Sequence, residues 1–493
     1  MKKIIKTICL LGASAMSLAL ASCGGGESDK IVIDFWHTFG DKAESSLQTQ
    51  VDKFVQKIKT AEDVDVEVKL TYKGGYSDMP KMITTAIAGG DSPTIAVAYP
   101  DHVADYIKLE GDAAGKYVVN LQDFIDNPET TFGTEAFLED NHSIDDFVDA
   151  FIDEGRHYTR EGMYSLPYMK STEIMIYNAN IVKAALPFYN EAYYGPAHDG
   201  AQLLEEGQIA SFLNEITWDD LMDYAQVILD NKTTIAPQLD VPVLYDSDSN
   251  LFITKLFQNG VDYSSIDPTT KKGIIDFETG DNRAQAEALV SKWKQEYDDG
   301  LLTTKGVKGE YGSNYFKNEE TVFTIGSSGG SGYTFPEAGS FEVGIARVPT
   351  DDVSNAVYVT QGPTLTMLTH PRFSATKAAQ LKNYAWKLLK FLTSTNVNVE
   401  VSCNGSEGYL PVRESSYTTE IFYEYIENGG DYANVAITVQ DEIAGAYLNT
   451  AVFPGSATLR EQCGGIVTNV LRLGSNVTTT FNNAIAATKL DIA

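Results

Sequence analysis

Hydrophobic and polar positions after residue 30 follow a pattern that predicts three strands and two helices. Residues 31–36 and 93–99 are nearly continuous apolar runs, and residues 64–72 alternate between apolar and polar, so each predicts a β-strand. Between them, apolar residues recur at helical spacing over 47–58 and 79–87. Strand, helix, strand, helix and strand in this order predict an α/β fold, with a parallel sheet covered by helices on both faces.

Most later segments continue this alternation of strands and helices, and one segment interrupts it. Residues 217–220, Thr-Trp-Asp-Asp, resemble a helix N-terminus with a capping acid, and residues 378–394 have a clear amphipathic pattern. Residues 187–200 are rich in Tyr, Asn and Gly and predict an insertion or a long loop. Parallel sheets bind ligands beyond the carboxyl ends of their strands, so residues 36–41 and 99–102 form the candidate site.

The first 23 residues have the pattern of an export signal. A basic start is followed by a largely apolar stretch, 8–20, that is too short to cross a bilayer. The stretch ends in Leu-Ala-Ser-Cys, which resembles the bacterial lipobox, and the resemblance implies cleavage before Cys23 and lipidation of this residue. We expect a lipoprotein signal peptide over 1–22 and a tether over 23–30, with the protein outside the cytoplasm and anchored to a membrane. The alternative is an ordinary secreted protein with a chance cysteine.

Length and charge narrow the architecture and the partners. About 470 residues remain after the signal, which is too many for one simple core, so two domains or lobes are expected. The formal net charge is -31. Binding to nucleic acid needs clustered Lys and Arg, so nucleic acid is not an expected partner.

The sequence contains no pattern that indicates catalysis or a metal site. It lacks the GxSxG, HExxH and Walker A motifs. Asp246 begins a run like a calcium loop, but Leu251 stands where the sharp turn needs glycine. Cys403 and Cys463 have no CxxC spacing, and they form either a disulfide or two isolated buried thiols. We therefore expect no enzyme activity, no cofactor and no metal; a lipid-anchored glycoside hydrolase is the enzyme alternative.

Glycines and aromatic residues give the first indication of a ligand. Residues 326–333, Gly-Ser-Ser-Gly-Gly-Ser-Gly-Tyr, follow a predicted strand and form either a loop that donates hydrogen bonds or a plain connection. Tyrosine is abundant, with 27 residues. Sugars combine apolar C–H faces with a rim of hydroxyls, which aromatic rings and polar side chains suit. Trp36, Tyr99 and Tyr333 stand at predicted strand ends, where they can face a sugar or serve packing alone.

Short segments spread over the chain carry a family pattern. They are 33–41 (IDFWHTFGD), 88–95 (AGGDSPTI), 99–101 (YPD), 164–168 (YSLPY), 176–178 (IYN), 217–220 (TWDD), 325–330 (IGSSGG), 361–362 (QG) and 408–411 (GYLP). In this order they resemble the family 1 extracellular solute-binding proteins of ABC importers, the group that includes the maltose-binding and glycerol-phosphate-binding proteins.

The resemblance implies a two-lobed periplasmic-binding-protein fold of type II, with the ligand in the cleft between the lobes. Three crossover segments are expected near 170–172, near 348 and near 394–401. One lobe would contain residues 31–170 and 349–398, and the other residues 171–348 and 399–493.

The resemblance also implies the site and the partners. The expected ligand-binding residues, completed by the aromatic and segment arguments above, are Trp36, Thr38, Asp41, Tyr99, Asp101, His102, Ser171, Ser327, Ser328, Gly329, Tyr333 and Gln361. The expected partners of this monomer are a small solute, with a mono- or oligosaccharide as the leading class, and the membrane subunits of an ABC importer. The glycine loop lacks the tryptophan of maltose-type members, so glycerol phosphate, its diesters or another small polar solute stays open as an alternative.

Overall fold

The computed structural model contains two five-stranded sheets, each covered by helices. It describes residues 30–492 except 112, 139–142, 195–202, 353–355 and 407. In chain order the strands are β1 (Ile31–His37), β2 (Val66–Tyr72), β3 (Ile95–Ala98), β4 (Leu166–Pro167), β5 (Glu173–Asn178), β6 (Val243–Tyr245), β7 (Ser264–Ile266), β8 (Gly273–Ile275), β9 (Leu302–Thr304), β10 (Phe323–Ser327), β11 (Val343–Arg347), β12 (Tyr358–Val359), β13 (Thr364–Met367) and β14 (Tyr447–Leu448).

The helices surround these sheets. In chain order they are α1 (Asp41–Glu62), α2 (Met79–Gly89), α3 (Pro100–Lys108), α4 (Gln122–Ile125), α5 (Asp149–Glu154), α6 (Ala179–Tyr193), α7 (Ile209–Glu215), α8 (Trp218–Asp230), α9 (Lys232–Ile235), α10 (Asp248–Gln258), α11 (Gly280–Asp298), α12 (Lys305–Lys308), α13 (Gly312–Lys317), α14 (Ala375–Leu392), α15 (Thr395–Val399), α16 (Glu420–Asn428), α17 (Asp431–Thr438), α18 (Ser456–Leu473) and α19 (Val477–Ile492).

The first sheet has the strand order β2-β1-β3-β13-β4. Strand β1 pairs in parallel with both β2 and β3, which confirms the parallel unit predicted from the hydrophobic pattern. Strand β13 runs antiparallel to β3 and to β4. Helix α1 buries its apolar stripe, including Leu47, Phe54 and Ile58, in the core of this sheet. We call this sheet with its helices lobe 1.

The second sheet has the strand order β11-β5-β10-β6-β9. Strand β10 pairs antiparallel with β5 and in parallel with β6. The helix start predicted at residues 217–220 is confirmed, and the Thr217 hydroxyl caps α8 by accepting a hydrogen bond from the Asp220 amide at 3.1 Å. Helices α18 and α19 pack on this part of the molecule through α10 and α11. We call it lobe 2.

The chain passes between the two sheets three times, and the crossing segments are tied to each other. Bridges pair Lys170 with Leu410 and Ser171 with Gln361, which joins the segments after β4, before β13 and after α15. The structure is thus the two-lobed α/β fold expected from the sequence. The lobe boundaries implied by the resemblance, 31–170 with 349–398 and 171–348 with 399–493, stay a prediction.

One prediction of secondary structure is wrong. Residues 187–193 were expected in a loop, but they form the second half of α6, with Pro187 inside the helix. Leu186 and Tyr189 are buried in the lobe 2 core, and this packing outweighs the helix-breaking tendency of the proline. Residues 195–200 of the same prediction lie outside the described residues.

The two cysteines left open by the sequence are separate buried thiols and do not form a disulfide. Cys403 follows α15 and lies near the carbonyl of Tyr409, whereas Cys463 lies within α18. Burial raises the pKa of the Cys403 thiol to about 12 and that of Cys463 further, so both stay protonated and unreactive at neutral pH. The export signal, the lipidation site Cys23 and almost the whole tether lie outside the described residues. Among the residues described, no helix combines the length and apolarity that a membrane crossing requires.

Candidate functional site

A cavity of about 640 Å³ opens between the two lobes. Lobe 1 contributes Tyr76 and Tyr99, and most of the remaining wall belongs to lobe 2. Ser171 and Gln361, which pair with each other across two crossover segments, also face the cavity. The cavity is therefore lined by both lobes and by the crossover segments that connect them. A bound molecule would contact all three.

The wall of lobe 1 is aromatic. The rings of Tyr76 and Tyr99 stack with centroids 4.8 Å apart and planes at 20°. Burial raises the pKa of both hydroxyls well above the ordinary value, so the rings remain neutral. Tyr99 directly precedes α3, which fixes its backbone at the end of β3. The ring of Tyr409, from the third crossing region, adds a further aromatic surface.

The wall of lobe 2 carries two carboxyl groups, of which that of Glu173 is buried and that of Asp246 half-buried. Glu173, at the start of β5, accepts hydrogen bonds from the Tyr245 hydroxyl and from the Asn250 amide. Burial raises its pKa from 4.5 to about 7. Asp246 accepts a hydrogen bond of 2.6 Å from the Gly312 backbone N–H, and burial raises its pKa from 3.8 to about 6. These hydrogen bonds hold each carboxyl group in position. Because burial disfavours the charged form, each group can bind a proton, or accept a hydrogen bond from a hydroxyl group, at little cost in free energy.

The glycine-rich segment reaches the cavity in a form that needs its glycines. Strand β10 continues to Ser327, and residues 328–333 form a 3₁₀ turn rather than an open loop. A Cβ atom on Gly329 would lie 2.7 Å from the Tyr409 ring, so a side chain there would displace that ring. The Ser327 hydroxyl donates to the Ser171 hydroxyl at 3.1 Å, which joins the turn to the first crossover.

Three buried polar atoms of the cavity wall have no hydrogen-bond partner among the described residues. They are the Tyr76 hydroxyl, the Thr324 hydroxyl and the Gln361 side-chain amide nitrogen. An unpaired buried polar group costs about 1–3 kcal/mol, so such groups usually mark the place of a ligand or a water molecule. A ligand with hydroxyl groups can pair these atoms, since a hydroxyl both donates and accepts.

Two lysines also line the cavity, although the chain as a whole is acidic. The ammonium group of Lys305 lies 3.8 Å from the centre of the Tyr311 ring, and Lys317 belongs to α13. Lys305 also lies close enough to Asp246 to lower the pKa of that carboxyl, against the larger effect of burial. The positive charge of Lys305 is therefore partly balanced within the wall.

The structure brings together about half of the residues predicted to bind a ligand. Those that line the cavity are Tyr99, Ser171, Ser327, Gly329, Tyr333 and Gln361. Asp101 lines a smaller adjoining cavity. Whether any of them binds a ligand stays a prediction.

The other five predicted residues do not line either cavity. Trp36 is half-buried beneath the Lys73 ammonium group, which lies 3.8 Å from its ring centre. Thr38 is a neighbour of Tyr76, and Asp41 is exposed in the first turn of α1. The ring of His102 accepts a hydrogen bond from the Tyr99 N–H at the start of its own helix. Ser328 is buried against the first crossover, where its N–H donates to the Thr172 carbonyl and its hydroxyl accepts from the Thr172 N–H.

Sequence reasoning missed the carboxyl groups, the lysines, Tyr76 and Tyr409. Glu173 begins a strand of six residues that is buried throughout, and Asp246 and Lys305 follow strands of three residues. Strands that are very short or buried on both faces carry no periodicity that assigns one face to a ligand. Tyr409 belongs to the segment 408–411 that matched the family pattern, but the match gave it no role.

Comparison with known proteins gives a consistent family. The sequence profile of bacterial extracellular solute-binding proteins matches residues 51–429. The sn-glycerol-3-phosphate-binding periplasmic protein UgpB of Escherichia coli K12 is 25% identical over 173 residues, which cover 35% of this chain and 34% of that protein. This match therefore spans about a third of the curated relative.

Solved structures share the fold. The GacH receptor of Streptomyces glaucescens, determined without ligand and with acarbose, has a TM-score of 0.62 at 17% identity, covering 94% of this chain and 99% of that one. UgpB from Mycobacterium tuberculosis, in complex with glycerophosphocholine, also has a TM-score of 0.62 at 17% identity, covering 93% and 98%. At this identity the likeness concerns the fold alone.

Proposed function

Because the chain belongs to the family of bacterial extracellular solute-binding proteins, we propose that it captures a carbohydrate, a mono- or oligosaccharide, in the cavity between its lobes. It delivers this ligand, unchanged, to the membrane subunits of an ABC importer. The protein acts outside the cytoplasm as a monomer, and the lipidated Cys23 anchors it to a membrane.

The observation that carries the carbohydrate assignment is the combination of ring faces and unpaired polar atoms in one cavity. Tyr76 and Tyr99 offer an aromatic surface for the apolar face of a sugar. Across from them, Glu173 accepts hydrogen bonds, and the Thr324 hydroxyl and Gln361 amide lack partners. A sugar satisfies both walls at once, whereas an apolar ligand would leave the polar atoms unpaired.

Capture is proposed to work by hinge closure. A ligand that first binds the polar wall of lobe 2 is covered when lobe 1 moves in, and the closed form is stabilised by contacts to both lobes. The lobes also touch away from the cavity: the Gly455 N–H donates to Asp105 of α3 at 3.1 Å, and Lys108 donates to the Asp491 carbonyl at 2.6 Å. An importer that recognises the closed shape would then distinguish loaded from empty protein.

A screen by thermal shift tests the carbohydrate assignment. Monosaccharides and oligosaccharides are compared with glycerol 3-phosphate, glycerophosphocholine, amino acids and polyamines. A saturating ligand raises the melting temperature by mass action, and at 100 times its Kd it adds about 2.7 kcal/mol of stability. A shift by at least one carbohydrate supports the proposal. A shift by other classes with none from any carbohydrate overturns it, and turnover of a chromogenic glycoside would favour the hydrolase alternative instead.

A glycerol phosphate or one of its diesters is the second candidate, and Lys305 and Lys317 favour it. Ammonium groups are suited to a phosphate, and the curated relative with the 173-residue match is a glycerol-phosphate-binding protein. If this candidate is correct, Lys305→Ala and Lys317→Ala should each weaken binding, and binding should weaken with added salt. A neutral sugar would show little dependence on salt.

The lipid anchor has its own test. Cys23→Ser removes the thiol that would carry the lipid, so the variant should move from the membrane fraction to the soluble fraction when it is expressed in a bacterial host. Mass spectrometry of the wild-type N-terminal peptide should show an acylated Cys23. An unmodified mature protein in the soluble fraction would support the secreted alternative.

A further inference from the structure

A second cavity, of about 200 Å³, lies beside the main one. Tyr99, Ser247 and Gln361 line both cavities, so the two spaces meet at these three residues. The unpaired amide nitrogen of Gln361 stands at this junction. A ligand in the main cavity can therefore continue into the second one past the side chain of Tyr99.

The second cavity is closed by charged groups from opposite lobes. Asp101 belongs to α3 of lobe 1, and Arg460 belongs to α18, which packs on lobe 2. The Arg460 Nε atom lies 3.9 Å from an Asp101 carboxylate oxygen, beyond hydrogen-bond distance. One Arg460 Nη atom donates to Asn250 at 2.6 Å, so other N–H groups of the guanidinium remain available. Asp101 and Arg460 together offer an acceptor and a fork of donors to the same space.

The charge of this cavity favours a neutral ligand. The lining of this cavity contains Arg460 together with two carboxylates, Asp101 and Glu154. Glu154 is already paired with the buried ammonium group of Lys170. A phosphate would meet the carboxylates at short range, whereas sugar hydroxyls can donate to Asp101 and accept from Arg460. Hydroxyls of Ser249, Thr360 and Thr450 complete a polar lining.

We propose that this second cavity is a subsite for one further sugar unit, so that the ligand is an oligosaccharide extending past Tyr99 into the space between Asp101 and Arg460. The proposal rests on the carbohydrate function proposed above and narrows it to a substrate class. It assigns Arg460 and Asp101 to the recognition of chain length rather than to the main cavity.

Calorimetric titration with an oligosaccharide series, from monosaccharide to tetrasaccharide of the sugar found by the thermal screen, tests the subsite. In the wild type, affinity should rise at the chain length that first fills both cavities. Arg460→Ala should weaken binding of that longer sugar about 10- to 100-fold, because it loses hydrogen bonds from a charged donor. Binding of the shorter sugar, which fits in the main cavity, should weaken less, by no more than about fivefold, because Arg460 reaches Glu173 of that cavity only through Asn250.

Two further variants keep the test decisive. Thr450→Trp fills the second cavity without removing a charge, and it should cause the same selective loss for the longer sugar. Arg472→Ala, on the exposed end of the same helix, is the matched control and should bind all lengths as the wild type does. Circular dichroism confirms that each variant is folded before it is titrated.

The outcomes separate this inference from the proposed function. If no sugar binds the wild type, the proposed function fails and the subsite fails with it. If sugars bind but neither Arg460→Ala nor Thr450→Trp changes the dependence on chain length, only the subsite is overturned. An equal loss for short and long sugars also overturns it, since Arg460 would then act on closure of the lobes.

Discussion

The two lobes contribute unlike surfaces to the same cavity. Lobe 1 contributes the stacked rings of Tyr76 and Tyr99, which are neutral and offer mostly carbon. Lobe 2 contributes the carboxyl groups of Glu173 and Asp246, the Thr324 hydroxyl and a turn of small residues. Ring faces tolerate many orientations of a sugar, whereas hydrogen bonds require one. For the proposed sugar we therefore expect lobe 2 to set the specificity and lobe 1 to cover the ligand and exclude water.

The lobe 2 surface is also held more rigidly and at a higher cost. Glu173 is fixed by Tyr245 and Asn250 in the absence of ligand, and burial disfavours its charged form. Polar groups that are fixed before binding lose little entropy when the ligand arrives. The cost is that the empty protein keeps a carboxyl group buried in lobe 2, whereas the cavity wall of lobe 1 buries no carboxyl group among the described residues. This contrast can be tested by removing one group at a time from each surface.

The largest expected effect is on the pH dependence of stability, through Glu173→Gln. Between pH 4.5 and about 7, the folded protein keeps a proton on Glu173 that the unfolded chain has released, so stability falls as the pH rises. Glutamine cannot titrate. The variant should therefore gain stability relative to wild type across this window, by on the order of 3 kcal/mol at pH 8. Thermal melts of both proteins from pH 4 to pH 8 measure the difference.

The matched control for this experiment is Glu342→Gln. Glu342 is an exposed carboxylate of lobe 2, paired with Lys183 at 2.7 Å outside the cavity. Its substitution should leave the pH profile nearly unchanged, since exposed ion pairs contribute little. If the difference in stability between wild type and Glu173→Gln did not change with pH, burial of Glu173 would carry no electrostatic cost. The contrast between the lobes would then lose its main support.

Removal of the aromatic cover in lobe 1 should have the next largest effect. Tyr99→Ala deletes a ring that faces both cavities, which should weaken sugar binding by on the order of 2–3 kcal/mol, or roughly 30- to 150-fold. Tyr99→Phe keeps the ring and should bind within a few-fold of wild type. Calorimetric titration checks both variants. Equal losses in Ala and Phe would mean that Tyr99 acts through its hydroxyl, and the division of roles between the lobes would be wrong.

Thr324→Val should produce a smaller effect with opposite signs for stability and binding. Valine removes an unpaired buried hydroxyl at nearly constant volume, so the empty protein should gain about 1 kcal/mol, while the ligand loses a partner and binds several-fold more weakly. Thr303→Val is the matched control, because the Thr303 hydroxyl is also buried and unpaired in the same sheet but does not line the cavity. It should gain similar stability and bind normally. Equal binding in both variants would contradict a ligand role for Thr324.

The sequence predicted the first part of lobe 1 well because the information there is local. Strand β1, helix α1 and strand β2 each span several residues, and their periodicity reports which face is buried. The cavity depends on information of another kind. Glu173 faces it because β5 pairs with both β10 and β11, whose residues are more than a hundred positions away in sequence. No local pattern encodes that pairing, so the polar surface of lobe 2 could not be assigned.

The same distinction explains the predicted site residues that lie off the cavity. The rule that ligands bind beyond the carboxyl ends of strands applied to both β1 and β3, but only the residue after β3 reaches the cavity, through Tyr99. Trp36 still belongs to β1, and its side chain points toward the face covered by the core around Met79 and Ile83. Successive residues of a strand point to opposite faces, so a shift of one position decides between ligand and core.

Trp36→Ala is therefore expected to have the smallest effect on binding. It tests whether the aromatic surface that lobe 1 offers to the ligand is confined to the residues that line the cavity. The ring contacts Lys73 and the helix side of the lobe 1 sheet, so its loss should cost stability, about 2 kcal/mol for a half-buried tryptophan. The affinity for the best sugar should stay within about twofold, and a saturating sugar should raise the melting temperature of the variant by as much as it raises that of wild type. A variant that keeps its fold but loses the ligand-induced shift would place Trp36 in the site. In that case the aromatic surface of lobe 1 would extend beyond Tyr76 and Tyr99, and closure would bring the first strand onto the ligand.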